Sequence, residues 1–147
     1  SSRLMDSIRD KQGLAYGITS HYDARAMPGS FWISLQTRTE TTNQAISSVL
    51  AEMKAIREAP VTDQELAEAK SFLMGSFPLR LDSTAKLAQV LGQVEFFGLG
   101  FDYFSQYPKW IDRVTKDDVQ RVAKQYLNPQ LYALVVVGNI TKAKVRH

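Results

Sequence analysis

The sequence has no cysteine and only two histidines, His21 and His147, among its 147 residues. Without cysteine the chain can form neither a disulfide framework nor a thiolate metal site. The two histidines lie far apart, and neither His-x-x-x-His nor His-x-x-Glu-His occurs, which argues against a zinc site of its own. The simplest interpretation of His21 is a solvated histidine on a strand. We therefore expect no metal ligand and no bound cofactor in this chain.

Other sequence features that would indicate a particular function are missing as well. No apolar run approaches the ~20 residues that span a bilayer, so we expect no membrane span. There is no Gly-x-Ser-x-Gly elbow for a serine nucleophile and no glycine-rich loop that could cradle a phosphate. The net charge is +3, and basic residues do not cluster before the last six positions, which argues against nucleic-acid binding. The sequence therefore predicts a chain that is not an active enzyme alone.

Length and composition describe an ordinary globular chain. Apolar residues make up 44% and charged residues 22%, as in a typical folded domain, and no internal repeat or low-complexity segment is present. We expect residues 1–147 to form a single α+β lobe, with residues 139–147 as a polar, frayed tail. The chain begins with Ser-Ser-Arg inside a helical pattern, which suggests a piece of something longer. The absence of cysteine is compatible with any compartment, so localisation is unknown.

Hydrophobic periodicity and breaker residues predict the elements in order. A first helix over residues 2–12, capped by Ser1 or Ser2, ends at Gly13, a residue suited to the left-handed conformation that closes a helix. Alternating strands over residues 14–22 and 31–37 flank a turn at Pro28-Gly29, which favours an antiparallel hairpin. Further helix starts are predicted where side-chain oxygens can cap the first turn, at Thr41 or Thr42, Thr62 to Glu65, Asp82 to Thr84, Asp102, and Thr115 to Asp118.

The last strong signal is a nearly continuous apolar run over residues 131–138, which predicts a third, buried strand. Three strands and four or five further helices indicate an α+β fold. The simplest arrangement is a small antiparallel sheet with helices packed on one face.

Two groups of residues have competing interpretations. The acidic residues Glu65, Glu68, Asp117 and Asp118 lie at helix starts, where capping and the helix dipole explain them without catalysis. An aromatic group is unusually dense and is either core packing or a patch that faces a partner. Its members are Phe96, Phe97, Phe101, Tyr103, Phe104, Tyr107 and Trp110.

The junction between the first helix and the first strand offers the most specific chemistry. Arg9 and Tyr16 lie seven residues apart on either side of Gly13. One interpretation is a solvated cation in the last turn of a helix and an ordinary aromatic residue on a strand. The other is a pair of hydrogen-bond donors suited to the carbonyl oxygens of an extended peptide. Such donors can also stabilise charge that develops on an attacked carbonyl.

Several motifs resemble the pitrilysin/insulinase family of zinc metallopeptidases. Residues 1–4 and 9–16 are similar to its "SSRLxxxxREKxGLAY" signature, with Asp10 in place of the commoner glutamate. The resemblance continues in the same order along nearly the whole chain, at residues 28–31, 60–70, 114–119, 123–127 and 135–138.

This resemblance implies the last lobe of the inactive, substrate-binding C-terminal domain of such a peptidase. It implies the metallohydrolase fold shared by LuxS and the mitochondrial processing peptidase. It also implies that Arg9 and Tyr16 bind a peptide substrate. The zinc ion, whose water would attack the peptide with a glutamate as base, would belong to a partner half on the same chain or on a separate subunit.

Two alternatives remain at this point. A relative with the same fold and no peptidase activity could serve as a structural or assembly subunit. The chain could also be a module that binds peptides alone.

Overall fold

The computed structural model describes residues 2–25 and 27–146. The chain divides into two compact units, one of residues 1–59 and 121–147 and the other of residues 60–120. Ser1, Ala26 and His147 lie outside the described residues, so the structure does not address a cap by Ser1 or a role for His147.

The first helix is wound as a π-helix over Met5–Lys11. The Ser2 hydroxyl caps it by accepting from the Met5 amide at 3.2 Å, as predicted for one of the two serines. At the other end the Gln12 amide donates to the Ser7 carbonyl at 3.2 Å, five residues earlier. Gly13 then has φ of +61°, which confirms it as the left-handed residue that ends the helix. Short π-helical stretches are frequent at functional sites.

The predicted hairpin is confirmed. Strand β1 (Gly17–Asp23) pairs antiparallel with β2 (Ser30–Gln36), in a register that places Gly17 opposite Gln36 and Asp23 opposite Ser30. A Cβ atom at Gly29 would collide with the Asp23 carbonyl oxygen, so the turn requires glycine there. His21 is exposed on β1 and lies opposite Trp32, with ring centroids 5.2 Å apart, which confirms a solvated strand histidine.

The core of the first unit lies where the π-helix, the start of the hairpin and helix α1 (Thr42–Glu58) meet. Its two largest fully buried side chains are Ile8 and Ile18, which expose 0% and 1% of their surface. Leu14, Ala15 and Ala45 complete the buried set, with partly buried apolar residues around it. This small core fixes the chain on both sides of residues 13–16.

Residues near the C-terminus are held to the first unit. Helix α6 (Ile140–Ala143) is capped by Asn139, whose side-chain oxygen accepts from the Lys142 amide at 2.9 Å. The Asn43 side chain on α1 donates to the Ala143 and Lys144 carbonyls, each at 3.1 Å, and accepts from the Arg146 amide at 2.8 Å. Residues 139–146 are therefore tied down where the sequence predicts fraying.

The second unit contains α2 (Asp63–Ser76), α3 (Thr84–Phe96), α4 (Tyr103–Arg113) and the start of α5 (Lys116–Tyr126). The capping box is confirmed, because Thr62 accepts from the Glu65 amide and the Glu65 carboxylate accepts from the Thr62 amide. Thr115 and Asp118 form the same reciprocal pair at the start of α5. Capping therefore accounts for both of these acidic residues.

Aromatic side chains form much of the packing in the second unit. Phe77 is buried and stacks on Tyr107, with ring centroids 4.2 Å apart. Tyr103 and Phe104 pack around the same ring, and Trp110 packs against Tyr103. Phe96 and Phe101, by contrast, are 71% and 82% exposed. Core packing is therefore confirmed for Tyr103, Phe104, Tyr107 and Trp110, and a patch that faces a partner stays a prediction for the exposed members.

The third predicted strand is not formed within the described residues, so the sheet there has two strands instead of three. Residues 131–138 have no ladder partner, and Val135 and Val137 are 83% and 94% exposed. An apolar run indicates that a segment can be buried in a sheet, but a strand also needs a neighbour that supplies hydrogen bonds. The structure retains the α+β class and the antiparallel pairing of the prediction.

Candidate functional site

An open pocket of about 350 Å³ lies beside the junction that the sequence singles out. One wall is the segment between the π-helix and β1, and the other wall is the segment that follows β2. The residues that line it are Gly13, Leu14, Ala15, Tyr16, Gln36, Thr37 and Arg38. The helix end and the end of the hairpin thus build one surface from two distant parts of the sequence.

Hydrogen bonds join the two walls. The Tyr16 amide donates to the Gln36 carbonyl at 2.8 Å, and the Thr37 hydroxyl donates to the Leu14 carbonyl at 2.6 Å. On the helix side the Leu14 amide donates to the Ile8 carbonyl at 2.9 Å. Because buried Leu14 is bonded through both its amide and its carbonyl, the backbone around the pocket is well fixed.

Tyr16 presents its phenol to solvent from this fixed backbone. Its side chain is 85% exposed, whereas Leu14 and Ile18 are 5% and 1% exposed. Strict alternation in the predicted strand over residues 14–22 would place these three residues on one face, and the exposure of Tyr16 does not follow that pattern. The strand begins only at Gly17, so the strict alternation of a strand does not apply to residues 14–16. The phenol is therefore available to a ligand instead of being buried.

Arg9 lies in the last turn of the π-helix and is exposed. Its guanidinium Nη1 contacts the Met5 sulfur at 3.4 Å, one turn earlier. Arg9 is not among the residues that line the described pocket. The structure thus places Tyr16 in the pocket wall and Arg9 on the helix that leads into it.

Arg38 also lines the pocket, and the sequence reasoning missed it. Its carbonyl accepts from the Thr41 amide at 3.0 Å, the Thr41 hydroxyl at 3.1 Å and the Thr42 hydroxyl at 3.3 Å. The signal that could have found it is the hairpin register. Once Gly17 is set opposite Gln36, the residues just after β2 must run beside those just before β1.

Glu40, two residues after Arg38, forms an ion pair with Lys142. Lys142 Nζ lies 2.6 Å from Glu40 Oε1. The hydrogen bond from Lys142 holds the pKa of Glu40 below its usual range, and the charge of Arg38 adds a smaller effect in the same direction. The same bond raises the pKa of Lys142. The carboxylate beside Arg38 is therefore already engaged by another cation.

The donor set of the described residues does not fit a zinc ion. No group of three or more His, Cys, Asp or Glu side chains within residues 2–25 and 27–146 is placed to hold a metal. His21 packs against Trp32, and the sequence has no cysteine. In the same part of the chain no helix is long and apolar enough to cross a membrane.

Several known proteins are similar to this chain in sequence or in fold. Residues 1–73 match the family described as the peptidase M16 inactive domain. The Helicobacter pylori protein named non-peptidase homolog YmxG is 29% identical over 145 residues, 97% of this chain and 33% of that protein. An uncharacterized zinc protease of Streptomyces coelicolor is 31% identical over 139 residues, 94% of this chain and 30% of that protein. The crystal structure of a peptidase M16 inactive domain from Pseudomonas fluorescens matches with a TM-score of 0.77 at 30% identity, over 87% of this chain and 30% of that one.

The described residues form an α+β structure with an open pocket at the junction of the first helix and the hairpin, and they provide no metal site. The chain belongs to the family of peptidase M16 inactive domains, which confirms the resemblance to the pitrilysin/insulinase metallopeptidases. It spans about a third of the length of the curated relatives it matches.

Proposed function

We propose that this domain binds peptide substrate for a zinc-dependent metallopeptidase whose zinc site lies on another domain or chain. Arg9 and Tyr16 are the proposed substrate-binding residues. The observation that carries the proposal is the placement of Tyr16. Tyr16 is 85% exposed on a pocket wall, although Ala15 directly before it and Ile18 two residues after it pack in the core.

The two side chains suit a peptide ligand. A guanidinium and a phenolic hydroxyl both donate hydrogen bonds, and the carbonyl groups of an extended peptide accept them. Donors held on a fixed backbone lose little entropy when they bind, which favours affinity. They can also stabilise negative charge that develops on a carbonyl under attack.

The hairpin adds a second means of holding an extended chain. Within the described residues β1 and β2 pair only with each other, so each has an outer edge with backbone groups outside the ladder. An extended peptide can add to such an edge as a further strand. Because Tyr16 immediately precedes β1, its phenol lies near the end of the path that such a peptide would follow.

A structural role is the second candidate. It is favoured by the relative named a non-peptidase homolog, which is 29% identical over nearly the whole chain. The discriminating feature is a His-x-x-Glu-His motif elsewhere in the parent protein or in a paired subunit. A chain that binds peptides without any such partner would be the third case, a peptide-binding module that acts alone.

The proposal is tested by the substitution Tyr16→Phe in the peptidase assembled with its zinc-bearing half. Removal of a hydroxyl that acts on the reacting carbonyl costs on the order of 100-fold in kcat. A hydroxyl that only binds the ground state would mainly raise KM. Tyr22→Phe on β1 removes a hydroxyl that is also exposed, and it should leave cleavage unchanged. Normal cleavage by the Tyr16→Phe enzyme, with the fold intact, would show that Tyr16 does not serve the substrate.

A further inference from the structure

Arg38 provides the charge of the pocket. Among the described residues that line it, Arg38 is the only one with a charged side chain, and no carboxylate is in the set. Arg38 is exposed, and within residues 2–25 and 27–146 its guanidinium forms no hydrogen bond or ion pair. A cation that lines a pocket without a partner favours an anionic ligand.

The neighbouring acidic residue does not neutralise this charge. Glu40 lies two residues after Arg38, and its carboxylate oxygen Oε1 is 2.6 Å from Lys142 Nζ. The ion pair of Glu40 is thus with Lys142, and none is described between Glu40 and Arg38. The positive charge of Arg38 remains available at the pocket.

The backbone of Arg38 is fixed from both sides. Its carbonyl accepts from the Thr41 amide and from the hydroxyls of Thr41 and Thr42. The preceding residue, Thr37, is bonded to the Leu14 carbonyl across the pocket. The side chain thus starts from a fixed backbone, so binding a ligand has to order the side chain only.

We propose that Arg38 makes this pocket selective for a carboxylate on the bound peptide. A guanidinium matches a carboxylate with two parallel hydrogen bonds, which gives both affinity and orientation. The phenol of Tyr16, in the wall of the same pocket, remains free to donate to a backbone carbonyl. The proposal rests on the proposed function and adds the class of substrate, namely peptides that carry an acidic side chain or a free C-terminal carboxylate at the residue bound here.

The experiment is a calorimetric titration of three peptides of otherwise identical sequence onto the chain. One carries glutamine and an amidated C-terminus, the second replaces the glutamine with glutamate, and the third keeps glutamine with a free C-terminal carboxylate. We expect one of the two acidic peptides to bind about 10-fold more tightly than the neutral peptide, the gain typical of a charged hydrogen-bonded pair. The peptide that shows the gain identifies the source of the carboxylate.

The substitution Arg38→Gln should abolish this difference, so that the three peptides bind with equal affinity. Arg38→Lys keeps the charge but loses the two-pronged geometry, so it should retain only part of the preference. Arg113→Gln, at an exposed position on α4, removes the same charge from the second unit and should retain the full preference.

Failure of this inference can be distinguished from failure of the proposed function. If all three peptides bind equally well and Tyr16→Phe weakens all of them, the proposed function stands and the role of Arg38 is wrong. A preference that persists in Arg38→Gln also overturns the role of Arg38. If none of the peptides binds, the role of Arg38 is wrong; if Tyr16→Phe also leaves cleavage by the assembled peptidase unchanged, the proposed function fails as well.

Discussion

The Thr37 hydroxyl donates a 2.6 Å hydrogen bond to the Leu14 carbonyl oxygen, across 23 residues of sequence, and so joins the two walls of the pocket. The substitution Thr37→Val keeps the shape of the side chain but removes this donor. It leaves the carbonyl of a buried residue without its partner, which should lower the free energy of unfolding by about 1–2 kcal/mol. Peptide affinity should fall as well, because only the bond from the Tyr16 amide to the Gln36 carbonyl still joins the walls. Urea denaturation and peptide titration measure the two effects.

The matched control is Thr19→Val on β1, where the threonine is exposed and the substitution suits a strand. It should leave both stability and peptide binding nearly unchanged. Equal stability of Thr37→Val and the unsubstituted chain would mean that the hydrogen bond contributes no net stability.

The features that the sequence predicts correctly depend on local chemistry. The first helix ends at Gly13 because glycine adopts positive φ easily, and the hairpin turn needs Gly29 because a Cβ there would collide with the Asp23 carbonyl oxygen. The start of α2 follows from the Thr62 and Glu65 side chains, which lie three residues apart. Each of these signals acts within a few residues, so the sequence displays it directly.

The features that the sequence does not reveal depend on residues that are distant from one another. Arg38 reaches the pocket only through the register of the hairpin, and Asn43 holds residues about 100 positions away. Tyr16 is exposed because the ladder starts one residue later, a boundary that alternation alone does not locate. The apolar run 131–138 predicts a strand, but it forms none among the described residues. Its pattern gives no information about whether a partner strand is present.

Gly13 should be sensitive to substitution for backbone reasons alone. No atom lies within 4 Å of a Cβ placed there, but its φ is +61°, which other residues adopt at a cost. Gly13→Ala should therefore destabilise the chain by roughly 1–2 kcal/mol. Gly13→Asn should cost less, because asparagine tolerates the left-handed conformation.

Gly75→Ala provides a control in which the stability should change in the opposite direction. Gly75 lies within α2, where an added Cβ also meets no atom within 4 Å. Gly75→Ala should stabilise the chain by roughly 0.5–1 kcal/mol, because alanine favours the helix interior. Thermal denaturation of both variants tests the pair, and a loss of stability in Gly75→Ala would contradict the argument.

Asn43 should anchor residues 143–146 through its side-chain amide. Asn43→Ala removes two donated bonds and one accepted bond, all partly solvent-accessible, so we expect a loss of about 1–2 kcal/mol in the free energy of unfolding. Faster amide hydrogen exchange at Arg146 should accompany it, because that amide loses its acceptor.

The substitution Asn43→Asp distinguishes the hydrogen bonds that Asn43 donates from the one that it accepts. Aspartate still accepts from the Arg146 amide but cannot donate to the carbonyls of Ala143 and Lys144, so Arg146 should keep more protection than in Asn43→Ala. Gln44→Ala, at an exposed neighbouring position, should change neither quantity. Unchanged exchange at Arg146 in Asn43→Ala would show that the anchor does not hold the segment in solution.

The Glu40–Lys142 ion pair should make the attachment of α6 depend on pH. The pKa of Glu40 is lowered by its hydrogen bond with Lys142, so the pair stabilises the attachment above the ordinary carboxyl pKa of about 4.5 and is lost as pH falls through the lower folded-state value. The pKa of Lys142 is raised, so the contribution is full below its ordinary value of about 10.5 and is lost as pH rises beyond the folded-state value.

Attachment of α6 should therefore be strongest between these limits and should weaken in acid. The chemical shift of the Ala143 amide, followed by NMR from neutral pH down to about pH 3, reports the change. Glu40→Gln should weaken the attachment at neutral pH and remove most of its acid dependence. Glu58→Gln, which alters a longer 3.8 Å ion pair at the other end of α1, should leave the Ala143 titration intact. An acid transition at Ala143 that is identical in Glu40→Gln would assign the pH dependence to another carboxyl group.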